Sequence, residues 1–142
     1  MKEYEIYVKG RFDRETGNGG GCYAVYNGNP DEAVLKSKYF APKTRKSAHE
    51  IELICAWSAL YHVKEGSKVK LYTNDNSLYY VIKHVNYVEG YTNDDFVYKF
   101  YEVKTTRHLD VEVIFTPKRD NDIMMDTVSD IALREMAGKD KQ

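Results

Sequence analysis

Glu52 is the residue whose setting most demands chemistry. It lies in the run Ile51-Glu52-Leu53-Ile54-Cys55-Ala56-Trp57, followed by Ala59 and Leu60, which is apolar around most of a helical circumference. A helix of that kind packs centrally. An unpaired acid on its buried surface is costly, so Glu52 is expected to have a partner or a metal ion. The other candidate groups are more ordinary. Asp122, Asp126 and Asp130 recur one turn apart in a segment that reads as a closing helix. Taken alone, Asp126 is a common first-turn acid, and Asp122 and Asp130 read as solvent-facing. His49, His62, His84 and His108 show no metal-ligand spacing. Cys22 and Cys55 each sit in an apolar segment and are too few for a disulfide framework or a zinc cluster, so both are expected to be reduced core residues. Thirteen tyrosines could stack on bases, but most fall at strand or helix core periods and are read as packing.

The elements that must position these groups follow from period and punctuation. Strands are expected over Tyr4–Val8, Cys22–Tyr26 and Ala33–Phe40, the first two separated by a loop ending in Gly17-Asn18-Gly19-Gly20-Gly21. The turn Asn27-Gly28-Asn29-Pro30-Asp31 joins the second to the third, making an antiparallel meander. Ser47, with Glu50 three residues on, is a capping box that opens the apolar helix; Glu65-Gly66-Ser67 stops it. Val69–Thr73 is a fourth strand, whose entry from a helix predicts a parallel crossover. A short helix over Ser77–Val85 follows, then a loop and a helix capped by Asn93 with Asp94 and Asp95 in its first turn. Val111–Phe115 is the fifth strand and Asp122–Met136 the last, amphipathic helix.

With 142 residues, 42% apolar and 30% charged, the chain reads as one soluble domain, 1–142, with no repeat or linker. No apolar run approaches the roughly 20 residues of a membrane span. The polar start Met-Lys-Glu-Tyr-Glu lacks a signal-peptide core, so a cytoplasmic location and no membrane partner are expected. The net charge of −1 argues against a dedicated nucleic-acid binder. Local basic clusters exist at Lys43, Arg45 and Lys46 and at Lys118 and Arg119, where solvated loop charge is the plainer reading.

Three strands, helix, strand, two helices, strand, helix is an α/β (α+β) order with a five-stranded mixed sheet. It resembles the ribonuclease H family (type 1) over essentially the whole chain. Tyr7-Val8-Lys9-Gly10, followed by Gly19-Gly20-Gly21, resembles the family's first strand and glycine-rich turn. Glu52 to Leu60, entered from Ser47 five residues earlier, looks like its glutamate-leucine helix. Leu71-Tyr72-Thr73-Asn74 falls where the family has threonine-aspartate. Arg119-Asp120-Asn121 with Met125-Asp126 and Val128 resembles its last-helix motif.

The resemblance implies phosphodiester hydrolysis by two Mg²⁺ ions roughly 3.5–4 Å apart, held by four carboxylates from different elements. Here those positions read Lys9, Glu52, Asn74 and Asp126, so their formal charge falls from −4 to −1. A like charge about 4 Å from a cation costs on the order of 4 kcal/mol at an effective dielectric near 20. The leading expectation is therefore a pseudoenzyme of the ribonuclease H fold, without cofactor, that binds nucleic acid or a protein. In it the Lys9 ammonium would bridge Glu52 and Asp126. The alternative is an active ribonuclease cleaving RNA in RNA–DNA hybrids, with Mg²⁺ or Mn²⁺ on Glu52, Asp126 and a rotated Asp75, and Asp13 as a further acid. A third reading is a structural domain of a larger assembly. By resemblance, Asn18, Ser47, His49 and Asn76 would face the minor groove of a hybrid, where ribose 2′-hydroxyls identify RNA. The family's histidine before the last helix is missing, and Lys118 and Arg119 stand in that shortened loop. The strongly basic protrusion of some members is also missing, with Asp94 and Asp95 beside Lys99 and Lys104 instead.

Overall fold

The computed structural model describes residues 3–45, 47–84, 95–117 and 122–138. Strand β1 (Glu3–Phe12) pairs antiparallel with β2 (Gly19–Tyr26), which pairs antiparallel with β3 (Val34–Phe40). Helix α1 (Ala48–Leu60) then crosses to β4 (Lys68–Thr73), parallel to β1. Helices α2 (Asn76–His84) and α3 (Asp95–Thr106) precede β5 (Asp110–Phe115), parallel to β4, and α4 (Ile123–Gly138) closes the chain. The sheet order is β3-β2-β1-β4-β5. The expected element order and the parallel crossover are both present. Lys46, residues 85–94, where the expected loop and its Asn93 cap and Asp94 fall, and Lys118 to Asn121 lie outside the described residues. Among the described residues, no helix is long and apolar enough to cross a membrane.

Strand alternation divides the sheet into two faces. Ile6, Val8, Val25, Val69 and Leu71 face α1, α2 and α3, where they meet Ile51, Leu53, Leu60, Leu78 and Phe100 in the main core. Tyr7, Cys22 and Ala24 face the other way, against Met125, Val128 and Ala132 of α4. Cys22 and Cys55 are both buried free thiols, as their apolar settings predict.

One expectation is overturned. Gly19, Gly20 and Gly21 are not a loop; they begin β2. The helices lie against them so closely that a side chain has no room. A Cβ on Gly20 would sit 2.1 Å from the Ala132 carbonyl oxygen of α4, and one on Gly21 would sit 2.6 Å from Cys55 Sγ of α1. Gly10 serves the same purpose in β1, where a Cβ would meet the Ala48 carbonyl oxygen at 2.6 Å and the Glu52 nitrogen at 2.7 Å. Gly10 and Gly21 therefore let α1 approach the sheet at the level of Glu52, while Gly20 does the same for α4.

Candidate functional site

The site is built where β1 and β4 separate. Their backbone pairing ends at Tyr7 and Tyr72, whose rings stack with centroids 4.6 Å apart and planes within 10°. Two residues further along each strand, on the same face, Lys9 Nζ donates to Asn74 Oδ1 at 2.7 Å. The intervening residues point to the opposite face. There Thr73 Oγ1 donates to Glu52 Oε1 at 2.5 Å, and the Gly10 amide donates to Glu52 Oε2 at 3.3 Å.

Glu52 is fully buried, so the partner its sequence setting demands is real: a hydroxyl and a backbone amide hold both of its oxygens. Burial pushes its carboxyl up to about 8, and the nearby charge of Asp75 pushes the same way; the Thr73 hydrogen bond, the Lys9 charge and the Gly10 amide pull it down.

Asp75 is spoken for. Its Oδ1 accepts from the Ser77 amide at 2.7 Å and the Leu78 amide at 3.4 Å, the work of an N-cap on α2. Its own amide donates to Thr73 Oγ1 at 3.0 Å, so the hydroxyl that holds Glu52 also fixes the turn into α2. Asp126 lies exposed on the first turn of α4 and takes no part in holding Glu52. Lys9, expected to bridge Glu52 and Asp126, reaches across the fork to Asn74. Asp13 is also committed locally, accepting from the Glu15 amide at 2.9 Å within its turn.

The acid that α4 turns toward the sheet is Asp122, contrary to the solvent-facing expectation. Asp122 is half-buried and caps α4 by accepting from the Met125 amide at 2.9 Å. Its charge, behind burial and Glu5, helps raise the Tyr7 hydroxyl far above its ordinary value. The signal was in the sequence: an aspartate three residues before Met125 has N-cap spacing. Thr73 was likewise visible within Leu71-Tyr72-Thr73-Asn74, but its role as holder of Glu52 needs the parallel β1–β4 register, which sequence alone does not give.

The four expected substrate contacts separate into two kinds. His49 and Asn76 come together, lining with Ser77, Tyr79, Tyr80 and Val81 a groove of about 780 Å³ between the starts of α1 and α2. Ser47 caps α1, accepting from the Glu50 amide at 3.3 Å. Asn18 is buried, and its Oδ1 accepts from the Tyr39 hydroxyl at 2.8 Å, so it supports β3 and not the groove.

Hard divalent ions need several anionic oxygens converging on one point. Among the described residues no group of three or more histidine, cysteine, aspartate or glutamate side chains does so. The fork holds one ammonium, one amide and one buried carboxyl that is already hydrogen-bonded twice. These groups do not fit a pair of Mg²⁺ ions.

Sheet order, crossover and helix placement define the class: this is the ribonuclease H fold. Over 98% of this chain and 99% of the other, it superposes with a TM-score of 0.74 on the N-terminal RNase H domain of a Mycobacterium tuberculosis protein, solved as a fusion with maltose-binding protein. Identity over that span is 10%, which carries the fold alone. No family model matches the sequence, and no curated protein matches it.

Proposed function

We propose that this chain is a ribonuclease H-fold pseudoenzyme that binds nucleic acid without cleaving it and needs no metal cofactor. The observation that carries the reading is the 2.7 Å hydrogen bond from Lys9 Nζ to Asn74 Oδ1. Cleavage in this fold calls for carboxylates at both positions, by the family resemblance of the sequence. A lysine and an asparagine bonded to each other offer neither the charge nor the carboxylate oxygens that two dications need. The competing reading, an active ribonuclease dependent on Mg²⁺ or Mn²⁺, requires Asp75 to abandon the cap of α2, a costly rearrangement.

The binding half of the reading rests on the groove beside the fork. Asn76, Ser77 and His49 offer hydrogen-bonding groups, and Tyr80, 63% exposed, lines the same groove. An RNA–DNA hybrid is the ligand to test first, since a structural neighbour is an RNase H domain. The protein is expected to act in the cytoplasm. Fluorescence anisotropy of a labelled hybrid, titrated at several salt concentrations, tests the binding. The expected result is saturable binding whose logarithm falls linearly with that of salt, from counterion release, and which weakens when Tyr80 becomes alanine. No binding to hybrid, duplex or single strands at low salt would turn the reading toward a protein-interaction or structural domain.

A further inference from the structure

The mismatch between the fork and a divalent ion has a specific form. The β1–β4 ladder stops at Tyr7 and Tyr72, and the pairing offset is continued one step on by side chains alone, Lys9 to Asn74. Beyond the last backbone bond, a cation thus ties the two diverging strands together on one face. On the other face Thr73 and Gly10 tie both to the buried Glu52. Lysine delivers a compact point charge with three donors on a long stem. Asparagine has the shape of aspartate with no charge, so it accepts from the ammonium without adding an anion. The Lys9 charge thus sits one residue from the Gly10 amide that holds Glu52, at the position where a divalent ion would have to enter.

We propose that the Lys9 ammonium is the resident cation of this fork, and that the fork takes a divalent ion only when Lys9 and Asn74 are both replaced by carboxylates. The proposal deepens the pseudoenzyme reading and rests on it. The two replacements act together: Asn74→Asp alone leaves the ammonium in place, now paired to a carboxylate, and admits no metal. Lys9→Asp with Asn74→Asp removes the competing charge and places an acid on each strand of the fork, next in sequence to the Gly10 and Thr73 groups that hold Glu52.

The test is calorimetric titration with MnCl₂ and with MgCl₂, together with thermal melts, on the full chain, its N74D variant and the K9D/N74D variant. The wild type and N74D are expected to give no saturable heat and no shift in melting temperature. K9D/N74D is expected to bind Mn²⁺ and to gain roughly 5–10 °C at about a hundredfold excess over its dissociation constant. Saturable Mn²⁺ binding by the wild type, with line broadening at the amides of Lys9, Gly10 and Thr73, overturns the proposal. So does a folded K9D/N74D that ignores both metals. If K9D/N74D is unfolded without metal, refolding by Mn²⁺ supports the proposal and failure to refold counts against it. Hybrid cleavage in excess chelator would defeat the pseudoenzyme reading while leaving the tethered cation intact, whereas Mn²⁺ binding without cleavage would do the reverse.

Discussion

A carboxyl with no solvent contact keeps its proton to a higher pH than a free one, and at Glu52 that difference is coupled to folding. In the unfolded chain the group titrates near 4.5, and in the fold near 8. Below the lower value both states carry the proton and the contribution to stability is present in full. Between the two values only the folded state retains it, so stability falls as pH rises and the contribution is lost through about pH 8. The melting temperature is thus expected to be higher at about pH 5.5 than at about pH 8.5, and Glu52→Gln should flatten that difference. A wild type and a Glu52→Gln variant with parallel pH profiles would contradict the assignment. Lys9 bears on the same group, because its charge pulls the Glu52 carboxyl down. Lys9→Ala removes that pull and the partner of Asn74, which should cost about 1–3 kcal/mol in chemical denaturation and steepen the pH dependence. An unchanged melting temperature would mean the ammonium is dispensable. At this scale the sequence showed that Glu52 needed a partner, because an acid in an apolar helix is legible by itself. It did not show which partner, because Thr73 and Gly10 reach it through the sheet register. Asp126, reached through motif spacing, lies exposed on the first turn of α4 and forms neither of the Glu52 hydrogen bonds.

Glycine in this chain has two uses, and they predict opposite sensitivities. Gly20 lies in β2 under α4, where a Cβ would meet backbone at 2.1 Å and 2.5 Å. Backbone cannot step aside cheaply, so Gly20→Ala is expected to lose about 1–3 kcal/mol or more by overpacking. Gly28 sits in the β2–β3 turn with φ of +95° and open space around it, so Gly28→Ala should cost only about 1 kcal/mol of local strain. Urea midpoints for the two variants check the ranking; equal losses would mean that α4 is not seated closely on β2. The element order was legible throughout, since alternation, caps and breakers each left their mark. The run Gly19-Gly20-Gly21 was not, because clustered glycines ordinarily signal a turn and only the helices pressing on both faces give these three their purpose.

Across the whole molecule the sheet is covered unequally. The face under α1, α2 and α3 holds the large aromatic and aliphatic core, while α4 covers a smaller cluster around Tyr7, Cys22 and Met125. A smaller buried cluster opens at lower free energy, so amide hydrogens of α4 should exchange before those of α1 and β1; the opposite order would contradict this division. The fork sits at the edge of both faces, which is why one ammonium and one buried acid can tie them together. The proposed loss of cleavage at the fork is checked by incubating purified protein with a labelled RNA–DNA hybrid in Mg²⁺ and in Mn²⁺, with Glu52→Gln alongside. Intact RNA is expected in every lane. Cleavage by the wild type that disappears in Glu52→Gln would contradict it, and would require Asp75 or another acid to complete a working metal site.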